Sequence, residues 1–316
     1  MNAIRNYLNE LYRTAIAGWN RFWFQPSHLE TVCLLRVLAG LMLLYTHFVW
    51  TFDLSGFFGS RGRVSGEFAN AFHQSNSFGT NFGWSFLFGL DGSTLWVVHV
   101  ICLVILLAFT LGFLTRITSV LAFLITVSYA NRAVGALFGL DQINGMLAMY
   151  LMLAPCGQRY SLDAFLSRGK KVGPEVSVMA NLSTRLIQVH LCMIYFFAAI
   201  GKLLGATWWE GSALWLAFAN YEYQTIDMTW LASFPLVINA LSQFTVIWEL
   251  TYSVLVWNRL TRPIIIALAV PLHLGIAFCM GMITFGLVML IANMAFFPPT
   301  LTRNLVHQII PTNMRR

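Results

Sequence analysis

The chain is poor in charged residues, which make up only 10% of its 316 positions, whereas 58% are hydrophobic. Soluble globular domains carry about 25% charged residues. A chain with so little charge has too few water-binding side chains to cover a soluble surface, so the sequence predicts a polytopic membrane protein. The longest stretches between apolar runs, 52–93 and 155–184, leave little room for a soluble domain.

Signatures of common soluble enzymes and of metal centres are also missing. The five cysteines stand singly, without the paired spacing of a metal site or a disulfide framework. No Gly-rich phosphate loop, zinc motif or nucleophile elbow occurs. We therefore predict no metal site, and we expect the cysteines to be small buried hydrophobic residues.

Apolar runs predict the helices, because a membrane span needs roughly 20 mainly apolar residues. They indicate an all-α bundle of about eight transmembrane helices within residues 30–300, the fourth and eighth being short. The predicted spans are 30–51, 94–113, 117–138, 141–154, 185–204, 234–257, 263–280 and 283–297. Residues 301–316 form a basic tail that we expect in the cytoplasm.

Residues 1–29 have neither a continuous apolar core nor a small-residue cleavage site, so we expect no cleavable signal peptide. Apolar residues recur at helical spacing instead, with arginines among them. This pattern predicts an amphipathic helix that lies at the membrane interface. The apolar positions are Ile4, Leu8, Leu11, Ala15, Trp19 and Phe22, and the basic ones are Arg5, Arg13 and Arg21.

The basic residues behind the net charge of +7 are spread over loops and tails, which argues against nucleic-acid binding. Cytoplasmic loops of membrane proteins are enriched in Lys and Arg. With the N-terminus inside, the outer segments hold only Arg61, Arg63 and Arg132. The inner segments then hold Arg5, Arg13, Arg21, Arg116, Arg159, Arg168, Lys170, Lys171, Arg259, Arg262, Arg303, Arg315 and Arg316. The asymmetry predicts both termini inside.

A lysine lies near the outer end of the fifth predicted helix, in the stretch YFFAAIGKLLGATWWEG. Hydrocarbon solvates a charged amine badly, by about 3 kcal/mol at a helix centre, so Lys202 needs water, a carboxylate or a chemical role. In a dry site the amine would lose its proton and become a base. Alternatively it snorkels to the membrane surface, or it pairs with Asp141, the nearest carboxylate by depth, and stays protonated.

Four other polar residues share a depth inside the predicted spans. Arg36 in the first helix and Glu249 in the sixth are expected to form an ion pair, because charges inside a span usually pair. Gln188 and His190 of the fifth helix lie at a similar depth. We interpret these four as a polar cluster that holds the fold.

His273 lies in the middle of the seventh predicted helix, just after Pro271, where a kink is permitted. It is a candidate proton relay, a ligand for a polar headgroup, or a hydrogen-bonded core residue. Trp208 and Trp209 fit either an aromatic belt at the interface or the wall of a pocket for a flat ring. Asn144, at the outer start of the fourth helix, is a further candidate for cofactor binding. His47 and His99 are expected near the outer interface.

Five segments, in order, resemble the motifs of one membrane family. LLRVLAGLML contains its first-helix arginine, LGFLTRITSV its Gly-x-x-x-Arg turn, and QRYSLDA its Ser-x-Asp motif. IYFFAAIGKLL with WWEG resembles its lysine helix, and HLGIAFCMGMITFGLVML its histidine helix, with the acidic Glu249 ahead of it. Over most of its length the chain resembles the membrane domain of vitamin K-dependent gamma-carboxylase and its bacterial relatives, the HTTM (horizontally transferred transmembrane) family.

The resemblance implies a chemistry. In the carboxylase, a base deprotonates a reduced quinone, which then reacts with oxygen to give a stronger base. That base removes a proton from the gamma carbon of a glutamate, and carbon dioxide adds there. Lys202 falls on the lysine regarded as the first base. The resemblance thus implies Lys202 and His273 as catalytic residues, a reduced quinone of the vitamin K or menaquinol type as cofactor, oxygen and carbon dioxide as co-substrates, and a location in the bacterial inner membrane.

Two departures separate the chain from the animal carboxylases. Their large lumenal domain has no counterpart after Arg316, so we expect peptide selection to need a separate peptide-binding protein. The family's asparagine-histidine pair ahead of the fourth helix is replaced by Gly139, Leu140 and Asp141. The alternative function is therefore a catalytically silent membrane protein that binds a quinone or lipid, or assists a partner in peptide maturation or export. A transporter ranks third, since no inverted repeat is evident.

The charge asymmetry gives a test of orientation. A reporter fused after Arg316 should be active only in the cytoplasm, and one inserted near Ser65 only outside, because Lys and Arg are retained on the cytoplasmic side. Reporter activities in whole cells measure this, and the reverse pattern would place Lys202 at the inner face.

Overall fold

The computed structural model of the protein describes residues 2–60, 62–75, 83–167, 175–222 and 224–309. Most of these residues are helical, which confirms the predicted all-α class. Residues 310–316, the end of the predicted tail, lie outside the described residues. So do six of the basic residues used to predict the orientation, Arg61, Arg168, Lys170, Lys171, Arg315 and Arg316.

Helices are numbered in chain order. They are α1 Asn2–Phe24, α2 Glu30–Val49, α3 Leu54–Phe58, α4 Gly66–Ser75, α5 Gly92–Leu111, α6 Thr115–Arg132, α7 Gly139–Leu151, α8 Leu162–Leu166, α9 Val178–Leu203, α10 Ala206–Trp209, α11 Ala213–Phe218, α12 Pro235–Leu255, α13 Arg262–Cys279, α14 Ile283–Asn293 and α15 Pro299–Ile309. Three 3-10 turns cover Trp50–Asp53, Thr229–Ser233 and Met294–Phe296. Two short strands, β1 Ser27–His28 and β2 Val176–Ser177, pair antiparallel with Ser27 opposite Ser177.

A helix occupies each of the eight places where a span was predicted, but the helices differ in length and apolarity. Among the described residues, four segments are long and apolar enough to cross a membrane: Glu30–Phe58, Gly92–Leu111, Val178–Leu203 and Arg262–Cys279. The 13 residues of α7 and the 11 residues of α14 extend only about 20 and 17 Å, against a hydrocarbon core of about 30 Å. Four spans are therefore supported, and eight remains a prediction.

Packing places the two short helices among the long ones. The closest neighbours pair as α9 with α12, α13 with α14, α2 with α5, and α6 with α7. The short α7 also lies against α2, α9 and α14, and α14 also lies against α2 and α9. This packing buries Asn144 of α7 and Asn293 of α14, two polar side chains that would otherwise face lipid.

The N-terminal α1 is a helix, as the spacing of its apolar residues predicted. Its apolar residues are largely exposed, among them Ile4, Leu8 and Trp19. Its end is attached to the bundle through Asn181 of α9, whose amide donates to the carbonyl oxygens of Phe22 at 2.8 Å and Trp23 at 3.0 Å. Exposed apolar residues on an arginine-bearing helix support the interfacial position, which stays a prediction.

Arg36 connects three parts of the fold, and its partners are backbone carbonyls. The side chain is fully buried and donates to the carbonyl oxygen of Phe109, near the end of α5, at 3.2 Å, and to that of Tyr160. The expected ion pair between Arg36 and Glu249 is therefore wrong. The carbonyls at the end of a helix carry partial negative charge, so the Phe109 carbonyl suits a guanidinium although it also accepts from the Gly112 amide at 3.0 Å.

The arginine, the Gly-x-x-x-Arg turn and the Ser-x-Asp motif meet at this point. The carboxylate of Asp163 accepts the backbone amides of Leu114 and Thr115, both at 2.8 Å, and so caps the start of α6. The amide of Asp163 in turn donates to the carbonyl oxygen of Gly112 at 2.9 Å. The three motifs thus have one structural role, which is to fix the turn between α5 and α6 against α2.

Gly112→Ala should destabilise the protein. Gly112 has a φ of +70°, and a Cβ there would lie 1.9 Å from Nη1 of Arg36. Left-handed backbone costs an L-residue about 1–2 kcal/mol, and displacing Arg36 adds to that loss. Thermal unfolding in detergent measures the effect. Gly275→Ala is the matched control, because nothing lies within 4 Å of its Cβ position. Equal unfolding temperatures for both variants would contradict this account.

Candidate functional site

Lys202 forms a partly buried ion pair with Glu249. Its ammonium donates to both carboxylate oxygens, at 2.8 Å to Oε1 and 2.6 Å to Oε2. The side chain of Lys202 is 21% exposed and that of Glu249 is 9% exposed. The lysine is therefore neither a snorkelling anchor nor the partner of Asp141, whose carboxylate instead accepts the Phe138 amide at the start of α7.

The chain after Lys202 explains why the lysine is enclosed. α9 ends at Leu203, and residues 205–233 fold as α10, α11 and a 3-10 turn before α12 begins. Of these, α10 packs against both α9 and α12. The Trp208 ring centroid lies 5.3 Å from the lysine Nζ, and the Trp208 carbonyl accepts from the Gln243 amide at 2.7 Å. The partial negative charge at the end of α9 and the aromatic face both favour a cation at Lys202.

The three candidate cofactor-binding residues lie in different places. Trp208 lies beside Lys202, whereas Trp209 is 66% exposed and donates from its indole to the carbonyl oxygen of Leu203 at 2.7 Å. Asn144 lies in α7, where its amide donates to the Thr46 hydroxyl of α2 at 3.2 Å. Of the three residues, Trp208 is the one that contacts Lys202. A cofactor-binding role for each of the three stays a prediction.

The proposed polar cluster is divided among separate partners. Gln188 donates to the carbonyl oxygen of Ala295 at 2.7 Å, and His190 bonds to the Tyr150 hydroxyl at 3.0 Å. Since Arg36 is bound to backbone carbonyls and Glu249 to Lys202, the four residues have separate partners. The four residues were predicted at a similar depth in the membrane, but they do not bond to one another.

His273 belongs to a hydrogen-bonded network that includes three residues the sequence analysis did not single out. The Tyr195 hydroxyl lies 2.7 Å from His273 Nε2 and accepts from the Asn293 amide at 2.9 Å. The Asn293 oxygen in turn accepts from the Tyr252 hydroxyl at 2.7 Å. All four residues are buried, so the network is shielded from water.

The direction of each hydrogen bond in this network can be assigned. Asn293 also donates from Nδ2 to the carbonyl oxygen of Met289 at 2.9 Å, which fixes its amide. The Tyr195 hydroxyl has one hydrogen, and among the described residues His273 Nε2 is the acceptor within its reach, so this hydrogen points to His273 Nε2. A neutral His273 then carries its proton on Nδ1. This buried nitrogen has no hydrogen-bond partner among the residues that the structure describes, and it is the free donor of the network.

The network and the ion pair are carried by the same two helices. Tyr195 precedes Lys202 by two turns on α9, and Tyr252 follows Glu249 by about one turn on α12. The rings of Tyr195 and Tyr252 are 4.2 Å apart, and both contact Trp248. Helical spacing from Lys202 and Glu249 was therefore the signal that could have found both tyrosines.

The arrangement suits proton exchange. A lysine and a carboxylate that share two short hydrogen bonds can pass a proton between them, and burial keeps water from competing. Among the described residues, no group of three or more His, Cys, Asp and Glu is placed to hold a metal ion. The residues at hand thus offer acid and base groups, aromatic surface and a free histidine donor.

The protein is thus an all-helical membrane bundle that holds a lysine–glutamate ion pair between two of its helices. The HTTM domain matches residues 24–300, and the chain belongs to the HTTM family. The resemblance to the membrane domain of the gamma-carboxylase is consistent with that membership. No curated protein matches the chain, and no solved structure does.

Lys202 and Glu249 should be energetically coupled. Removing one partner of a buried pair strands the other charge, so Lys202→Met and Glu249→Leu should each cost about 3–5 kcal/mol. The double variant should lose clearly less than the sum. Arg36→Leu combined with Glu249→Leu is the control, and those losses should add within about 0.5 kcal/mol because the partners are separate. Unfolding in detergent measures all of these variants, and coupling to Arg36 instead of Lys202 would refute the assignment.

Proposed function

We propose that the protein is a quinol-dependent membrane enzyme whose site opens outward, with Lys202 as the base that meets the substrate and Glu249 as the final proton acceptor. The observation that carries this proposal is the bidentate pair and its unequal exposure. Lys202 is the more accessible member, so an incoming hydroxyl would reach the amine before the carboxylate.

A paired lysine is ordinarily protonated and a poor base, but the pair as a unit can accept one proton. Lys202 first gives a proton to Glu249 across their hydrogen bond, and the free amine then takes the proton of the bound hydroxyl. Afterwards the ammonium faces the new anion, and Glu249 is neutral. The number of charges in the site is unchanged, which matters where charges are badly solvated.

The residues around the pair fit a reduced quinone, which would supply an acidic hydroxyl and two electrons when bound. The Trp208 ring is available to stack on a flat ring system beside the amine. His273, bonded to Tyr195 about 10 Å from Lys202 along the axis of α9, offers an Nδ1 hydrogen to an oxygen atom. His273 would orient the cofactor, and Lys202 would carry the proton transfer.

The remaining parts of the proposal follow from family membership and the predicted orientation. Oxygen and carbon dioxide would be the co-substrates if the chemistry is that of the carboxylase, and a separate peptide-binding protein would present the substrate. The location would be a bacterial inner membrane, with eight spans and both termini in the cytoplasm. The lipid-soluble molecule that co-purifies in mild detergent, identified by mass spectrometry, tests the cofactor independently.

Lys202→Arg tests the base. Arginine keeps the charge and the ion pair with Glu249 but cannot release its proton at usable pH. The variant should therefore fold and bind quinone as the wild type does, yet lose at least about a hundredfold in quinol oxidation. Turnover is measured with a menaquinol-type quinol and oxygen, and quinone binding by quenching of tryptophan fluorescence.

Arg303→Lys is the matched control, because it alters a different ion pair, that of Arg303 with Glu30, and should leave turnover unchanged. A fully active Lys202→Arg protein would exclude Lys202 as the base. Bound quinone without turnover in the wild type would favour the second candidate, a silent quinone- or lipid-binding protein that assists a partner. The replacement of the family's asparagine-histidine pair at 139–141 is the observation that favours that candidate.

A further inference from the structure

A polar pocket whose lining does not include Lys202 lies between α2, α6 and α7. It has room for about one water molecule. The residues that matter for its chemistry are Thr46, His47, Trp50, Tyr129, Asp141 and Asn144. The proposed quinol chemistry uses none of its polar groups for proton transfer.

His47 contributes an unpaired hydrogen-bond acceptor to this pocket. The side chain is only 3% exposed, and its Nδ1 lies 2.8 Å from the carbonyl oxygen of Leu43. A carbonyl oxygen can only accept, so Nδ1 carries the hydrogen. In the neutral ring, Nε2 then carries a lone pair, and this buried atom has no partner in the described part of the chain.

Asn144 contributes a second acceptor. It is 2% exposed, and its Nδ2 lies 3.2 Å from the Thr46 hydroxyl. That hydroxyl donates to the carbonyl oxygen of Met42 at 2.8 Å, so it can only accept from Asn144. The amide orientation is thereby fixed. Its Oδ1 is buried and, within the ranges described, has no partner.

The other groups at the pocket favour a positive charge. Asp141 brings a carboxylate, and no lysine or arginine lines the pocket among the described residues. The aromatic rings of Trp50 and Tyr129 complete the wall, and aromatic faces attract cations. The Tyr129 hydroxyl is already bonded to His99 Nδ1 at 2.7 Å, so the vacant positions belong to His47 and Asn144.

We propose that this pocket binds an ammonium group, either the ammonium ion itself or the head of a small primary amine. Two buried acceptors require a compact partner that donates at least two hydrogens, and a buried acceptor left unpaired is costly. A water molecule would also donate two hydrogens, but it carries no charge to interact with the Asp141 carboxylate at the pocket. Potassium resembles ammonium in charge and size but donates no hydrogen bond, so it would leave the imidazole nitrogen unsatisfied.

Binding is tested on the full-length protein in detergent by its unfolding temperature and by tryptophan fluorescence, since Trp50 lies at the pocket. Ammonium chloride and methylammonium chloride are titrated against potassium chloride at matched ionic strength. A saturable response to an ammonium salt that potassium does not reproduce supports the proposal. Saturation by ammonium but not methylammonium identifies the free ion as the ligand, and saturation by both identifies the amine class. An equal response to potassium, or no response to either ammonium salt, overturns the proposal.

Two variants with opposite expected effects extend the test. His47→Phe keeps an aromatic ring but removes the acceptor, and it should weaken binding about tenfold or more. Asn144→Asp adds a negative charge at the second acceptor and should tighten binding about tenfold. His190→Phe, the same substitution at a histidine bonded to Tyr150 outside the pocket, should bind as the wild type does. Unchanged or weaker binding in Asn144→Asp would overturn the proposal even if His47→Phe failed to fold.

Discussion

Polar groups inside an apolar bundle must find their partners within the protein, and this constraint organises the whole structure. Hydrocarbon offers no hydrogen bonds, so each buried charge or amide either pairs or destabilises the fold. Arg36 meets this constraint with a carbonyl near the end of α5 and a loop carbonyl, whereas Lys202 meets it with the carboxylate of Glu249.

The sequence was sufficient to predict where the helices lie and to which family the chain belongs, because both depend on local patterns. An apolar run reports that a segment is buried or faces lipid, and helices lie at all eight predicted places. The length of each helix was less predictable than its presence. The helix predicted at 185–204 begins earlier in the structure, at Val178. The polar residues in the first turns of α9 contact protein instead of lipid, because Asn181 binds α1 and Arg185 binds Gln188.

Partners in the site could not be predicted, because a sequence gives depth along a span but not which helices are neighbours. Arg36 and Glu249 share a depth, yet α12 packs against α9 and thereby offers its carboxylate to Lys202. Asn293 lies on a helix that was predicted, but its link to Tyr195 depends on how α14 meets α9. Local motifs therefore identified the lysine and the histidine, and tertiary packing decided what each one touches.

The position along the chain of Arg36 and its partners has a consequence for biogenesis. All of its partners lie between residues 36 and 163, so the guanidinium can be satisfied once α8 has left the ribosome. Lys202 remains unpaired for longer, since Glu249 is synthesised only after the segment that follows α9 and most of α12. During that interval the amine is an uncompensated charge near the C-terminal end of α9. Insertion of α9 therefore brings an unpaired ammonium into the membrane region, where the translocon or neighbouring lipid headgroups must solvate it.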